Sequence, residues 1–261
     1  MTRKPQPEQN QAPVVQRIRI RYAKRGPMRF TSHRDFARAF ERAIHRANVP
    51  IAYSQGFTPH PKVSYASAAP TGAASEAEYL EIGLREVVDP DGLARALDAA
   101  LSPGLDVLAA VVAGPGALAE RIDAAHWRVE LPGVSVFEAR QAVTAFLAAP
   151  EVAVQRLTKQ GIRTFDARAA VTRLDVVEVT PDVPSEVDGV PCAILDLVVR
   201  QVTPAVRPDD VLSGLRVVAD LEPSVPPRAT RLAQGALTAR GEMVDPLDAD
   251  RGVVVSGTPS P

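Results

Sequence analysis

The side chains best suited to chemistry lie in residues 29–65, where His33, Asp35 and His60 occur close together in the sequence. Imidazole and carboxylate groups can bind a divalent cation or act as an acid and a base, so these three are the candidate catalytic residues. Their spacing matches no diagnostic metal motif such as H-E-x-x-H. The alternative is that the histidines form hydrogen bonds to the backbone or to a phosphate.

Asp35 also has a structural role available to it. Ser32 and Asp35 have the S-x-x-[DE] spacing of a capping box, which predicts a helix that begins at His33. Apolar residues recur along this segment at spacings of three and four, as expected for one buried helix face. The helix should end near Pro50, because proline cannot continue it. The cap would account for Ser32 and Asp35 without any chemistry.

Positive charge is concentrated in the first part of the chain. Residues 1–62 contain 13 Lys and Arg against 3 Asp and Glu, a net charge of +10, whereas the remainder has 17 against 28, a net charge of −11. Such a basic region favours nucleic acid or another polyanion as a ligand; the alternative is that it packs beside the acidic part. The candidate nucleic-acid-binding residues are Arg17, Arg19, Arg21, Lys24, Arg25, Arg34, Arg38, Arg42, Arg46, Phe57, His60 and Lys62.

Two patterns organise the arginines. Residues 15–22 alternate apolar and basic side chains, which predicts a strand with its arginines on an exposed face. On the helix that follows, arginines recur every four residues from Arg34 to Arg46. Guanidinium groups bind phosphate in a bidentate manner, and successive helical turns would present them in a row. The alternative for this row is an ordinary solvated helix face.

The loop from Gly56 to Lys62 has the composition of a recognition loop. Gly56 would permit close approach, Phe57 offers a ring for stacking, and His60 and Lys62 offer hydrogen-bond donors. The alternative is a structural loop in which Phe57 packs into the core and the prolines fix the turn.

Composition excludes several classes of protein. Of the 261 residues, 46% are hydrophobic and the formal charge is −1, as in a folded globular protein. The sole cysteine, Cys192, excludes internal disulfides and cysteine-based zinc or iron–sulfur sites; it lies in an apolar run that predicts a buried, inert thiol. No apolar run is long enough to span a membrane, and the polar start differs from a signal peptide. We expect a cytoplasmic protein that has no cofactor and does not bind membranes.

The order of predicted elements up to residue 114 is β-α-β-β-α-β, with one short extra strand over residues 51–54. A similar order follows after residue 125, with a strand over 152–159 and a short helix with a strand within 164–179. The fold class is therefore predicted as α+β, with two tandem ferredoxin-like (βαββαβ) sandwiches. The predicted divisions are a disordered tail over 1–14, a first domain over 15–114, a connector over 115–125, a second domain over 126–240 and a disordered tail over 241–261.

The segment RYAKRGPMRFTSHRDFARAFERAIHRANVPIAYSQGFTPHPKVSY closely resembles the opening pattern of the radical SAM-linked proteins, a family also described as domain of unknown function 2344. Its members stand alone beside a radical SAM gene or are fused behind a cobalamin-binding radical SAM module. The resemblance implies association with a radical SAM enzyme. That enzyme would be encoded separately, because this chain lacks the three cysteines that hold the cluster and cannot generate the radical itself.

From these observations we expect a non-catalytic accessory or substrate-docking protein that binds RNA, such as tRNA or rRNA, for that enzyme. One alternative is a metal-dependent enzyme that uses His33, Asp35 and His60. The other is a purely structural module that binds a partner protein through an apolar sheet face.

Overall fold

The computed structural model describes residues 13–55, 57–159, 161–178, 186–187 and 190–252. These residues form a mixed α+β structure with four α-helices and a large, mostly antiparallel sheet, which confirms the α+β part of the prediction. None of the helices within these ranges combines the length and the apolar composition that a membrane span requires.

The described residues divide into two compact units. The first unit contains residues 13–68, 78–119 and 247–252, and the second contains 69–77 and 120–246. The chain therefore leaves the first unit, forms most of the second, and returns to the first.

The first unit contains four strands and two α-helices. They are β1 (Gln16–Lys24), α1 (His33–Arg46), β2 (Val63–Ala66), β3 (Ala74–Leu84), α2 (Pro90–Ala100) and β4 (Leu105–Val112). The strand order is β4-β1-β3-β2, in which β1 pairs antiparallel with β4 and β2 pairs antiparallel with β3. Alternation along β1 and β3 sends Ile18, Ile20, Leu80 and Ile82 into a core shared with Phe40 of α1.

The second unit has a similar order with an additional hairpin. Its elements are β5 (Ala124–Pro132), α3 (Val136–Ala148), β6 (Ala153–Thr158), β7 (Gly161–Asp166), β8 (Val171–Val176), β9 (Glu186–Val187), β10 (Val190–Arg200), α4 (Pro208–Ala219), β11 (Arg228–Leu237) and β12 (Met243–Val244). The strand order is β11-β5-β10-β8, while β6 and β7 pair only with each other. Ala74 and Ser75 of β3 belong here, since they pair in parallel with Thr230 and Arg231.

Several predicted elements differ in detail from the observed ones. The short strand expected at 51–54 is reduced to isolated bridges at Ile51 and Tyr53. The short helix and strand expected within 164–179 are the end of β7, a 3-10 turn at Arg168–Ala170 and β8. Asp166 causes the turn, because its carboxylate accepts hydrogen bonds from the backbone N–H groups of Arg168 and Ala169.

The region after residue 240 also differs from the expected disordered tail. It contains β12 and a 3-10 turn at Asp248–Asp250, and both Leu247 and Asp250 are buried. Strand β12 belongs to the second unit, whereas Leu247 and Asp250 belong to the first, where their burial fixes the segment that carries them. The predicted tails over 1–12 and 253–261 lie outside the described residues.

Candidate nucleic-acid interface

Helix α1 begins at His33, as predicted, because Ser32 caps it. The Ser32 hydroxyl accepts a hydrogen bond from the Asp35 backbone N–H at 3.2 Å and donates one to the Asp35 carboxylate at 2.6 Å. The first bond satisfies a backbone N–H that a helix N-terminus leaves open, the second joins the two side chains, and the carboxylate also complements the helix dipole. Asp35 is thus occupied by helix capping.

The arginines on α1 divide into two groups. Arg34, Arg38 and Arg42 are exposed, and no described residue forms a hydrogen bond or ion pair with their side chains. Arg46 instead donates a hydrogen bond to the carbonyl oxygen of Ala100, the last residue of α2. A guanidinium at a helix C-terminus satisfies an open carbonyl and complements the dipole, so Arg46 has a structural role. We refer to Arg34, Arg38 and Arg42 as the α1 arginine row.

The strand arginines are not a uniform exposed row. Arg17 is exposed and pairs with Glu81 at 3.3 Å. Arg19 is only 1% exposed: it contacts Glu81 at 2.9 Å and Asp250 at 2.7 Å, and donates to the Gly116 carbonyl. The expectation that Arg19 is exposed was therefore wrong. The face opposite the helices is itself covered here by the segments that carry Gly116 and Asp250.

Three further basic residues of β1 and the following turn have partners inside the chain. Arg21 is half-buried, and Lys24, the last residue of β1, is buried. Both interact with other groups of the protein. Arg25 is exposed and pairs with Asp106 at 2.8 Å. Much of the positive charge in residues 17–25 is consequently neutralised within the first unit.

The loop before β2 is held at its base and exposed at its tip. The Ser54 backbone N–H donates to the His60 carbonyl at 2.8 Å, and the His60 N–H donates to the Ser54 hydroxyl at 3.0 Å. Phe57 is 91% exposed, which contradicts the alternative in which it packs into the core. His60 and Lys62 are exposed as well. We call residues 55–62 the Phe57 loop; Gly56, proposed to permit close approach, lies outside the described residues.

The three candidate catalytic residues do not share a metal site. No three His, Cys, Asp or Glu side chains in the described ranges come together closely enough to hold an ion. The His33 ring packs edge-on against Tyr65, with 4.7 Å between the ring centroids. Burial, together with the charge of Glu41, raises the pKa of Tyr65 to about 12. Its phenol therefore stays protonated at neutral pH, and this cluster has a packing role.

An exposed aromatic pair at the start of α1 was missed in the sequence. Phe30 is 60% exposed, and the Arg29 guanidinium carbon lies 4.6 Å from the centre of its ring. Both belong to the 3-10 turn Gly26–Phe30, which leads directly into the Ser32 cap. The adjacent Arg and Phe in the sequence could have indicated this contact, because guanidinium groups stack readily on aromatic rings.

A second polar cluster, in the second unit, was also missed. The Asp196 carboxylate contacts His126 Nε2 at 3.0 Å and the Arg173 guanidinium at 2.8 Å, across three neighbouring strands. Burial raises the pKa of Asp196, but the hydrogen bonds and positive charges of His126 and Arg173 outweigh it and leave the pKa below 3.8. The alternation within each strand was the available signal, since it indicates which face a side chain occupies. The contacts between the three side chains depend on which strands are neighbours, and the sequence does not show that directly.

Cys192 is buried, as predicted. Burial, with the nearby charge of Glu130, raises the pKa of its thiol. Since the thiolate is the nucleophile, this residue is unreactive at neutral pH.

A family model described as "Uncharacterized protein conserved in bacteria (DUF2344)" matches residues 17–208. The chain belongs to this family. The matched residues include α1, the Phe57 loop and both sides of the Arg17–Glu81 pair, and they end at the first residue of α4. The description of the DUF2344 family assigns no activity to these positions. No curated protein matches the chain.

Proposed function

We propose that this protein is a non-catalytic accessory that binds RNA, such as tRNA or rRNA, and presents it to a separately encoded radical SAM enzyme in the cytoplasm. The observation that carries the proposal is the α1 arginine row: three exposed guanidinium groups on successive turns of one helix, with no counter-ion among the described residues. The Phe57 loop supplies further exposed groups in the same unit, including the side chains of His60 and Lys62.

The spacing of the row suits a polyanion. Residues four apart on a helix are separated by about 6 Å along its axis, so the three guanidinium groups can contact successive phosphates of one strand. Each neutralised phosphate of a single strand contributes about −0.7 to the slope of log K against log salt. Three contacts give a slope of about −2 from this row alone.

The proposed enzyme partner rests on the sequence resemblance and on the cysteine count. With one buried cysteine, this chain has no set of thiolates for a cluster. The radical chemistry would therefore belong to the partner, and this protein would supply substrate binding. The absence of a shared site for His33, Asp35 and His60 favours this reading over a metal-dependent enzyme.

We further infer that each unit is a ferredoxin-like sandwich. The orders β4-β1-β3-β2 and β11-β5-β10-β8 support this inference, since each begins with a strand–helix pair and ends with a helix–strand pair. The hairpin β6–β7 would then be an insertion in the second sandwich.

The proposal is tested by titrating the full chain against labelled tRNA and rRNA fragments at several salt concentrations. Wild-type affinity should fall steeply with salt. The double variant Arg38→Glu, Arg42→Glu should bind at least about tenfold more weakly. Its salt slope should be less steep by about 1.4, corresponding to two lost phosphate contacts.

The matched control is Arg140→Glu with Arg240→Glu. Both arginines are exposed in the second unit, and the net charge changes by the same amount. A specific interface predicts that this control binds as the wild type does. Equal losses in the two double variants, or an affinity indifferent to salt, would refute the proposal. Protein that forms a complex with the enzyme but binds no RNA would instead indicate a purely structural interaction module.

A further inference from the structure

We propose that the RNA bound at this surface is single-stranded where it is contacted, and that unpaired bases stack on Phe57 and Phe30. The inference rests on the proposed RNA binding and specifies the class of RNA. Its starting point is Phe57, whose side chain is 91% exposed and forms no ring contact in the part of the chain that the structure describes. Exposed single apolar side chains are common on protein surfaces, so the inference depends on the combination of this ring with the exposed cations of the same unit.

The loop that carries this ring is held at its base. The Phe57 loop is closed at its base by the two Ser54–His60 hydrogen bonds and by the bridge between Tyr53 and Pro61. The Lys62 N–H then donates to the Ala52 carbonyl at 2.8 Å, a further link between the two ends of the loop directly before β2. A ring on a short, closed loop loses little further conformational freedom when a base stacks on it.

Phe30 supplies a second stacking surface beside the α1 arginine row. Its ring is 60% exposed, and it lies four residues before Arg34. The Arg29 guanidinium over the Phe30 ring adds positive charge to this surface. The first residue of α1, His33, contacts Tyr65 of β2, the strand that directly follows the Phe57 loop. The row and both rings therefore belong to connected elements of the first unit.

Duplex RNA does not suit this combination of groups. Its bases are stacked on one another inside the helix, and its deep, narrow major groove excludes side chains. Unpaired nucleotides expose both a phosphate backbone for guanidinium groups and base faces for aromatic rings. Exposed rings beside an arginine row are what single-strand binding proteins use, and base stacking tolerates different sequences.

The experiment compares fluorescently labelled oligo(U) of about 12 nucleotides, within the size range of single-strand sites, with an RNA duplex of the same length. Wild-type protein should bind oligo(U) more tightly than the duplex. Phe57→Ala should weaken oligo(U) binding between about fivefold and about a hundredfold, the range measured for loss of one base–aromatic stack. Phe57→Trp should retain binding. Phe57→Leu, which is apolar but has no π face, should bind as weakly as Phe57→Ala.

The matched control is Phe137→Ala, because Phe137 is also exposed, at 69%, but lies on α3 of the second unit. This variant should bind as the wild type does. Since Phe57 makes no packing contact, Phe57→Ala should unfold at the wild-type temperature, which separates lost binding from lost folding.

Failure of this inference differs from failure of the proposed function. Single-strand stacking would be overturned if the wild type bound the duplex as tightly as oligo(U) or more tightly, or if Phe57→Ala bound oligo(U) with wild-type affinity. The proposed function would still stand in either case, provided that the double variant Arg38→Glu, Arg42→Glu weakens RNA binding. Wild-type affinity for oligo(U) in Phe57→Leu would also overturn stacking, because leucine has no π face. Absence of salt-dependent RNA binding by the wild type would refute the proposed function itself.

Discussion

Arg17 and Arg19 stand two residues apart on β1 and share Glu81, yet their loss should affect stability very differently. Replacing Arg19 by Met removes a guanidinium that is 1% exposed and contacts two carboxylates and a carbonyl. Breaking a buried ion pair from one side costs about 3–5 kcal/mol. For Arg19→Met we expect a loss of about 3 kcal/mol in the free energy of unfolding, at the lower end of this range. Both carboxylates retain another partner, because Glu81 still pairs with Arg17 and Asp250 still accepts a hydrogen bond from the Gly114 N–H at 3.0 Å.

Replacing Arg17 by Met should cost no more than about 1 kcal/mol, because its side chain is 65% exposed and water screens the pair. The assay is amide hydrogen exchange of peptides from β1, since the only tryptophan, Trp127, belongs to the second unit and reports on that unit. For amides that exchange by unfolding of the first unit, Arg19→Met should accelerate exchange by about a hundredfold and Arg17→Met by less than about fivefold.

Adding Asp250→Asn to Arg19→Met should cost little more, because the interaction with that carboxylate is already lost. Similar acceleration by Arg17→Met and Arg19→Met would refute the reasoning, since it would mean that burial does not decide the contribution of these arginines.

Two further predictions concern the second unit. In Gly235→Ala the added Cβ would lie 1.9 Å from the Val244 carbonyl oxygen, so β12 must be displaced. The free energy of unfolding should fall by about 1–3 kcal/mol, the usual cost of overpacking. An unchanged midpoint in urea unfolding followed by Trp127 fluorescence would contradict this. Because the folded-state pKa of Asp196 is lowered, its contribution to stability is present above the unfolded value of 3.8 and is lost as the pH falls through the lower folded value. Asp196→Asn should therefore be less stable than wild type at pH 7, and this difference in the free energy of unfolding should shrink below about pH 4. A difference that is constant from pH 7 to pH 3 would argue against the cluster.

Local signals in the sequence predicted most of the elements correctly. The S-x-x-D spacing located the start of α1, and alternation over residues 15–22 located β1, observed as Gln16–Lys24. These features depend on neighbours within a few residues, which a sequence shows directly. The hairpin β6–β7 was recognised only in part, since its second strand is short and mostly exposed and therefore shows little alternation.

The fate of the individual arginines could not be predicted, because it depends on distant partners. Alternation correctly placed Arg19 on the face opposite Ile18 and Ile20, but it cannot tell whether that face is covered. The covering group, Asp250, lies 231 positions away in the sequence. Arg46 is similarly engaged by Ala100 of another helix. The sequence therefore predicted a basic surface, and among the described residues tertiary contacts engage Arg19 and Arg46 but leave the α1 arginine row exposed.

The contact between Arg19 and Asp250 also has a consequence for the order of events during synthesis. A ribosome releases Arg19 early, whereas Asp250 emerges only after residues 120–246, most of the second unit, have been made. Until then the guanidinium of Arg19 lacks one of its two carboxylates, so the sheet around it cannot reach its final stability. A region that begins near the start of this sequence is therefore completed only by a residue that lies 231 positions later.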